Sequence, residues 1–203
     1  MSPKNPKRNA SIKELSPAAT AISATGLGLV LKGASEIETI KGVAKIFSGR
    51  LFDAVDGGVA RALKQESDAG VIVDVTFDKI GMGAISIAAW LKEAIPKPII
   101  AGIASKHLAS TALTFVYSHN HPDESFRPTK WGKASIAADT LSYAAYLTEN
   151  ALSNERPDLI GAQKAAHTVG RLAVCASVVA GGISLTQYAK RAFEKTETTN
   201  ESA

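Results

Sequence analysis

Four aspartates with helical spacing are the residues most capable of doing chemistry together. They lie in the stretch DAVDGGVARALKQESDAGVIVDVTFD, which begins at Asp53 and ends at Asp78. At about 100° per residue, Asp53 and Asp56 share one helix face, and Asp74 and Asp78 share a face of a second helix. A strand would place Asp53 and Asp56 on opposite faces, because side chains alternate along a strand. The spacing therefore predicts a helical hairpin that gathers the four carboxylates.

The gathered carboxylates predict a site for a divalent cation and a diphosphate. Like charges at close range repel, so the acids need a positive partner between them. Carboxylate oxygens are the ligands that Mg²⁺ and Mn²⁺ prefer. Gly57 and Ala60 leave the same face of the first helix nearly bare, so a ligand can approach the backbone there. Arg61, at the edge of that face, is suited to pair with a phosphate or to hold one aspartate in place.

The full spacing, D-x2-D-G-x2-A-R-x8-G-x3-D-x3-D, resembles the signature of the CDP-alcohol phosphatidyltransferases, and every specified position is matched. This resemblance implies an all-α fold, a six-helix transmembrane bundle with a polar active-site cavity near the cytosolic side. It implies transfer of a phosphatidyl group from CDP-diacylglycerol to an alcohol acceptor, with release of CMP, in phospholipid biosynthesis. It also implies a homodimer in contact with membrane lipid. Two positions depart from the family pattern: Ala18 stands where many members have Asn, and only half of a Gly-Lys…Lys-Thr pattern survives at Gly132 and Lys133.

Carried over by position, the resemblance assigns a role to each residue of the motif. The metal ligands for Mg²⁺ or Mn²⁺ would be Asp53, Asp56, Asp74 and Asp78. The CDP-binding residues would be Asp56, Gly57, Ala60, Arg61, Gly70 and Asp74. Asp78 would be the catalytic residue that accepts the proton of the attacking hydroxyl, because an alcohol is a poor nucleophile at neutral pH and needs a base within reach.

Three basic residues before and at the expected start of the fifth helix are candidates for binding the acceptor. Arg127, Lys130 and Lys133 would attract an anionic alcohol such as glycerol 3-phosphate or an inositol phosphate. The same residues also fit a positive-inside cluster that marks the cytosolic side of a membrane protein. The sequence leaves both interpretations open.

Length and charge bound the remaining possibilities. The 203 residues predict one helical domain over residues 15–193, between a polar basic tail (1–14) and a polar tail (194–203). The net charge is only +4, and the sequence contains no basic cluster interleaved with aromatic residues, so no nucleic-acid partner is expected.

Six helices are predicted, at about 16–33, 36–65, 70–94, 97–117, 134–152 and 159–193. His107, in the fourth, is expected to be a packed polar residue.

The hydropathy of the chain is weaker evidence for a membrane protein than the motif is. The mean hydropathy of +0.04 is ordinary for a soluble protein. Only residues 172–189 approach the length of an apolar span, with residues 16–31 as a weaker second candidate. Charged residues that face a polar cavity or a helix end need not touch lipid. We therefore expect a multi-pass protein of the cytoplasmic membrane, with both termini and the active site on the cytosolic side.

Two other classes of protein remain as alternatives. A soluble helical Mg²⁺-diphosphate enzyme of the isoprenoid-synthase kind would suit the low hydropathy, but it would normally carry DDxxD-like runs and a longer chain. A non-enzymatic small membrane carrier could line an ion path with its acids. An ion path would not explain why Gly57, Ala60 and Arg61 occur at their observed spacing.

Overall fold

A computed structural model describes residues 17–62, 68–121 and 129–193. The regular secondary structure of these residues is entirely helical, and each of the six predicted helices is present. In chain order they are α1 (Pro17–Ser35), α2 (Ile40–Ala62), α3 (Asp68–Leu91), α4 (Lys97–Asn120), α5 (Lys130–Glu155) and α6 (Ile160–Phe193). The all-α class expected from the sequence is confirmed.

α2 and α5 begin away from their predicted positions, and in each a threonine caps the first turn. α2 was expected to begin near residue 36, but residues 36–39 form a turn, and the N–H of Gly42 donates to Thr39 Oγ1 at 2.9 Å. α5 was expected to begin at residue 134, but it begins four residues earlier, where the N–H of Gly132 donates to Thr129 Oγ1 at 3.0 Å. In both cases a hydroxyl satisfies an amide of the first turn, which is how a threonine caps a helix.

The helices belong to two compact units. The first unit contains α1, α2, α3 and the end of α5 from Asn150. In it α1 packs against both α2 and α3. Glycines allow the close approach: a Cβ added at Gly33 would lie 2.6 Å from the carbonyl oxygen of Gly42, and one added at Gly49 would lie 2.5 Å from that of Gly26. These helices therefore pack backbone against backbone.

The first turn of α2 is held by residues from the end of α5. The Glu155 carboxylate accepts the N–H of Ile40 at 3.1 Å, and the Asn154 amide donates to the carbonyl of Glu38 at 3.1 Å. Nearby, Lys45 Nζ of α2 lies 2.5 Å from the carboxylate of Glu36, which precedes the helix, and lowers the pKa of that group. The N-terminus of α2 thus has a fixed position within the first unit.

The second unit contains α4, α5 up to Glu149, and α6. α4 packs against α6, and the buried positions of α6 are mostly small residues spaced three or four apart. They are Gly170, Ala173, Ser177, Ala180, Gly181, Ser184, Tyr188 and Ala192. At Gly170, an added Cβ would lie 3.0 Å from the ring of Tyr146 on α5. A stripe of small residues lets neighbouring helices approach closely, as in membrane bundles.

Two of the described helices are long and apolar enough to cross a membrane. They are α4 and α6. The best apolar windows of these helices are only 11% and 33% buried, so neither is the enclosed core helix of a soluble protein. The expectation for residues 172–189 is confirmed, since they lie in α6. The second candidate is different from the one expected: α4 qualifies, whereas the described part of α1 offers only the shorter apolar stretch Ala21–Ser35.

Candidate active site

The motif residues lie on two helices, as their spacing predicted. α2 carries Asp53, Asp56, Gly57, Ala60 and Arg61, and α3 carries Gly70, Asp74 and Asp78. The side chains of these residues lie outside the described part of the structure. Their roles in binding metal and CDP, and the convergence of the four carboxylates, therefore stay predictions.

Val30 of α1 lies close to both helices that carry the motif. A Cβ added at Gly49 of α2 would meet Val30 Cγ2 at 2.7 Å, and one added at Gly81 of α3 would meet Val30 Cγ1 at 3.3 Å. From Gly49, Asp53 lies about 6 Å further along α2, and from Gly81, Asp78 lies about 4.5 Å back along α3. Both steps lead toward the segment that joins the two helices. The backbone therefore brings Asp53 and Asp78 to similar levels beyond Val30.

The second unit contains a buried polar cluster that sequence reasoning did not identify. Its centre is an ion pair between Lys106 of α4 and Asp139 of α5, in which Lys106 Nζ lies 2.8 Å and 2.7 Å from the two carboxylate oxygens. The Lys106 side chain is 14% exposed and that of Asp139 only 2%. Lys106 Nζ also donates to Ser135 Oγ at 2.6 Å and to Ser177 Oγ at 2.5 Å. The cluster joins α4, α5 and α6.

His107 extends this cluster. Its Nε2 lies 3.0 Å from Asp139 Oδ2, and its side chain is 44% exposed. The hydroxyl of Ser177 donates to the other carboxylate oxygen of Asp139. His107 is thus tied to a buried carboxylate and is more than the packed polar residue expected from the sequence. A carboxylate on one ring nitrogen fixes the imidazole's orientation and tautomer.

A groove runs beside the cluster, within the second unit. It encloses about 310 Å³ of empty space, part of which is open to the surroundings. Its walls come from α4, α5 and α6, namely Lys106, His107, Ser110, Gly132, Ser135, Ile136, Gly181, Ser184, Leu185 and Tyr188. Small residues keep it open: a Cβ added at Gly181 would lie 2.5 Å from Lys106 Cδ, and one added at Gly132 would lie 2.3 Å from the Tyr188 hydroxyl oxygen.

The basic residues predicted to bind the acceptor lie elsewhere on α5. Lys130 and Lys133 occupy its first turn with exposed side chains, and neither lines the groove. Arg127 lies outside the described residues. Their role in binding an acceptor therefore stays a prediction.

A sequence signal for the buried cluster did exist. Ser135 and Asp139 are four residues apart on α5, so they share a helix face. Lys106 interrupts an otherwise apolar stretch of α4, and an ionisable residue in such a stretch is by default a candidate for function. What the sequence could not show is that Lys106 and Asp139 are partners, because 33 residues separate them.

The structure is all-helical, and two of its described helices are long and apolar enough to cross a membrane. The chain matches the model of the CDP-alcohol phosphatidyltransferase family over residues 18–185. Because the match covers most of the chain, this protein belongs to that family. Comparison with curated proteins and with solved structures found no match.

Family membership establishes the class of reaction. The protein is a phosphotransferase acting on substituted phosphate groups, which transfers a phosphatidyl group from a CDP-alcohol to an alcohol in phospholipid biosynthesis. Members of the family generally use divalent metal ions and are typically embedded in membranes. Membership selects the transferase over the isoprenoid-synthase-like enzyme and the carrier that the sequence had left open.

Proposed function

We propose that this enzyme transfers the phosphatidyl group of CDP-diacylglycerol to an alcohol and releases CMP. The observation that carries the proposal is the complete motif on α2 and α3, two helices that both pack against Val30. The oxygen of the acceptor hydroxyl forms a bond to the phosphorus of the phosphatidyl group. The bond from that phosphorus to the CMP oxygen breaks, and CMP leaves with the electron pair.

The residues of the motif fit a divalent cation by their chemistry. Asp53 and Asp56 are three residues apart on helix α2, and Asp74 and Asp78 are four apart on helix α3, so each pair shares a helix face. Four carboxylates form an all-oxygen donor set of the kind that Mg²⁺ and Mn²⁺ prefer. A cation held there would neutralise charge on the diphosphate during transfer.

The other motif residues would bind and orient the donor. Gly57 and Ala60 leave room for the CDP group beside α2, and Arg61 would pair with a phosphate oxygen. Gly70 would allow a close approach at the start of α3. Asp78 would take the proton of the attacking hydroxyl, which raises the nucleophilicity of its oxygen.

We further propose a phosphorylated acceptor, such as glycerol 3-phosphate or an inositol phosphate. The exposed ammonium groups of Lys130 and Lys133 in the first turn of α5, together with Arg127, would attract its phosphate. A cationic alcohol such as choline would be repelled by the same residues.

The proposed setting is a multi-pass homodimer in the cytoplasmic membrane, with the active site facing the cytosol. The two candidate spans, α4 and α6, support membrane insertion. A cytosolic active site would give the enzyme access to water-soluble acceptors and to its lipid donor at one membrane surface.

Replacement of the proposed base tests this mechanism. The purified enzyme is supplied with CDP-diacylglycerol, Mg²⁺ and candidate alcohols, and CMP release is measured. Asp78→Asn should lower kcat about 10²–10⁴-fold, the usual contribution of a general base. Asp68→Asn, which changes an acid of α3 outside the motif, is the control and should leave kcat unchanged.

Two results would contradict the proposal at different points. CMP release by Asp78→Asn at the wild-type rate would remove the base assignment. Absence of CMP release from the wild-type enzyme with every alcohol would remove CDP-diacylglycerol as the donor.

A further inference from the structure

The groove of the second unit has walls of a particular chemical kind. Polar side chains from α4, α5 and α6 meet there in a unit whose outer surface carries many exposed apolar side chains. The space beside these side chains is open in part to the surroundings. A ligand in this groove would meet mostly polar groups.

The charges at the groove are already neutralised by the protein itself. Lys106 donates to both oxygens of Asp139 and to the hydroxyls of Ser135 and Ser177. An ammonium group has three protons to donate, so Lys106 has no donor left for an anion. Asp139 accepts from Lys106, His107 and Ser177, so it is equally poor as a site for a cation.

The groups that remain available are an imidazole and two serine hydroxyls. When Nε2 of His107 donates to Asp139 and the ring carries one proton, Nδ1 is left as a hydrogen-bond acceptor. Ser110 has no hydrogen-bond partner for its hydroxyl among the residues that the structure describes. Among the same residues, the Ser184 hydroxyl has a long contact of 3.4 Å, to Thr129. A serine hydroxyl both donates and accepts, so together these groups suit the hydroxyls of a ligand.

Two apolar residues complete the groove. Ile136 of α5 and Leu185 of α6 line it beside the polar groups. A polyol presents hydroxyls at its edges and C–H groups on its faces, so it can use both kinds of wall. A phosphate or an ammonium ion would find no unpaired charge of opposite sign in these walls, since Lys106 and Asp139 already pair with each other.

We infer that this groove binds a neutral polyhydroxylated compound through His107, Ser110 and Ser184. The inference goes beyond the proposed function and does not rest on it. Binding of a polyol to the groove can be measured without any transfer reaction.

The first experiment measures binding to the purified full-length protein in detergent, without CDP-diacylglycerol. The probes are myo-inositol and glycerol, with inorganic phosphate and choline as competitors. We expect saturable binding of at least one polyol, and no competition from phosphate or choline. Saturable binding of neither polyol, or displacement by phosphate, would overturn the inference.

Variants then test the groove itself. Ser110→Ala removes one hydroxyl from the wall and should weaken polyol binding about five- to tenfold. Ser118→Ala is the matched control, because Ser118 is exposed on the same helix and its hydroxyl bonds only within that helix. His107→Gln keeps an amide donor for Asp139 but removes the Nδ1 acceptor, so it should also weaken binding. Wild-type affinity in both Ser110→Ala and His107→Gln would overturn the assignment.

The CMP-release assay separates this inference from the proposed function. Polyol binding that depends on Ser110, without CMP release from any alcohol, would support the groove and contradict the proposed donor. CMP release from an alcohol, with no saturable binding of a polyol to the groove, would support the proposed donor and contradict the groove.

Discussion

At the scale of single residues, the main feature is the buried pair of Lys106 and Asp139. Both charges are buried away from water, which costs free energy. Each compensates the other, Lys106 also donates to the hydroxyls of Ser135 and Ser177, and Asp139 also contacts His107 and accepts from Ser177. Loss of one partner leaves an uncompensated charge in the interior of the second unit. Replacement of both by apolar residues of similar volume removes the need for compensation.

This argument predicts the result of a double-mutant cycle. Lys106→Met and Asp139→Leu should each lower the free energy of unfolding by about 3–5 kcal/mol. The double variant should lose much less than the sum of the two. The measurement is denaturant unfolding in detergent, followed by tryptophan fluorescence or circular dichroism. A double variant as unstable as the sum of the singles would show that the two groups do not act as a pair.

At the scale of helices, the contact of α1 with α2 and α3 decides where the motif lies. Gly49 of α2 approaches the carbonyl of Gly26, and Val30 of α1 also reaches Gly81 of α3. These contacts lie within about one helical turn of Asp53 on α2 and of Asp78 on α3. A displacement of α1 would therefore move both halves of the motif.

Two glycine substitutions separate packing from helix propensity. Gly49→Ala would place a Cβ 2.5 Å from a backbone oxygen, so we expect the helices to separate and the free energy of unfolding to fall by about 1–3 kcal/mol. CMP release should fall with it. Gly28→Ala is the control, since an added Cβ there meets nothing within 4 Å and should stabilise α1 by about 0.5–1 kcal/mol. Equal stability of the two variants, measured by thermal unfolding, would contradict the packing argument.

At the scale of the whole molecule, the distribution of apolar side chains favours a membrane environment. Large hydrophobic side chains are exposed in both units, among them Leu91 at 73% and Phe115 at 75%. Exposed apolar surface of this kind marks contact with lipid or with another protein.

This distribution predicts the behaviour of the expressed protein. It should sediment with membranes, resist extraction by high salt and by alkaline carbonate, and dissolve in mild detergent. High salt and alkaline carbonate would release a protein that is held to the membrane only by electrostatic contacts. Recovery of folded protein in the aqueous phase after carbonate treatment would contradict membrane insertion.

Features that depend on near neighbours in the chain were predictable. The six helices follow from a period of about 3.6 residues, and the motif residues fall on helices because their own spacing is helical. The predicted starts of α2 and α5 were wrong, because each start depends on a threonine hydroxyl (Thr39 or Thr129) that bonds to the first turn. The start of α2 also depends on Glu155, which lies on a helix far along the chain. Local spacing does not contain that information.

The sequence alone determined the family of this protein and the residues of its motif, because those are patterns within one stretch of about 26 residues, and each part of the pattern lies on a single helix. Only the tertiary structure decided that Val30 of α1 lies close to both motif helices, and that Lys106, Asp139 and Ser177 form one cluster. Those contacts join residues that lie on different helices. The close packing of helices at small residues brings these distant residues together, and the spacing of residues along the chain does not specify that packing.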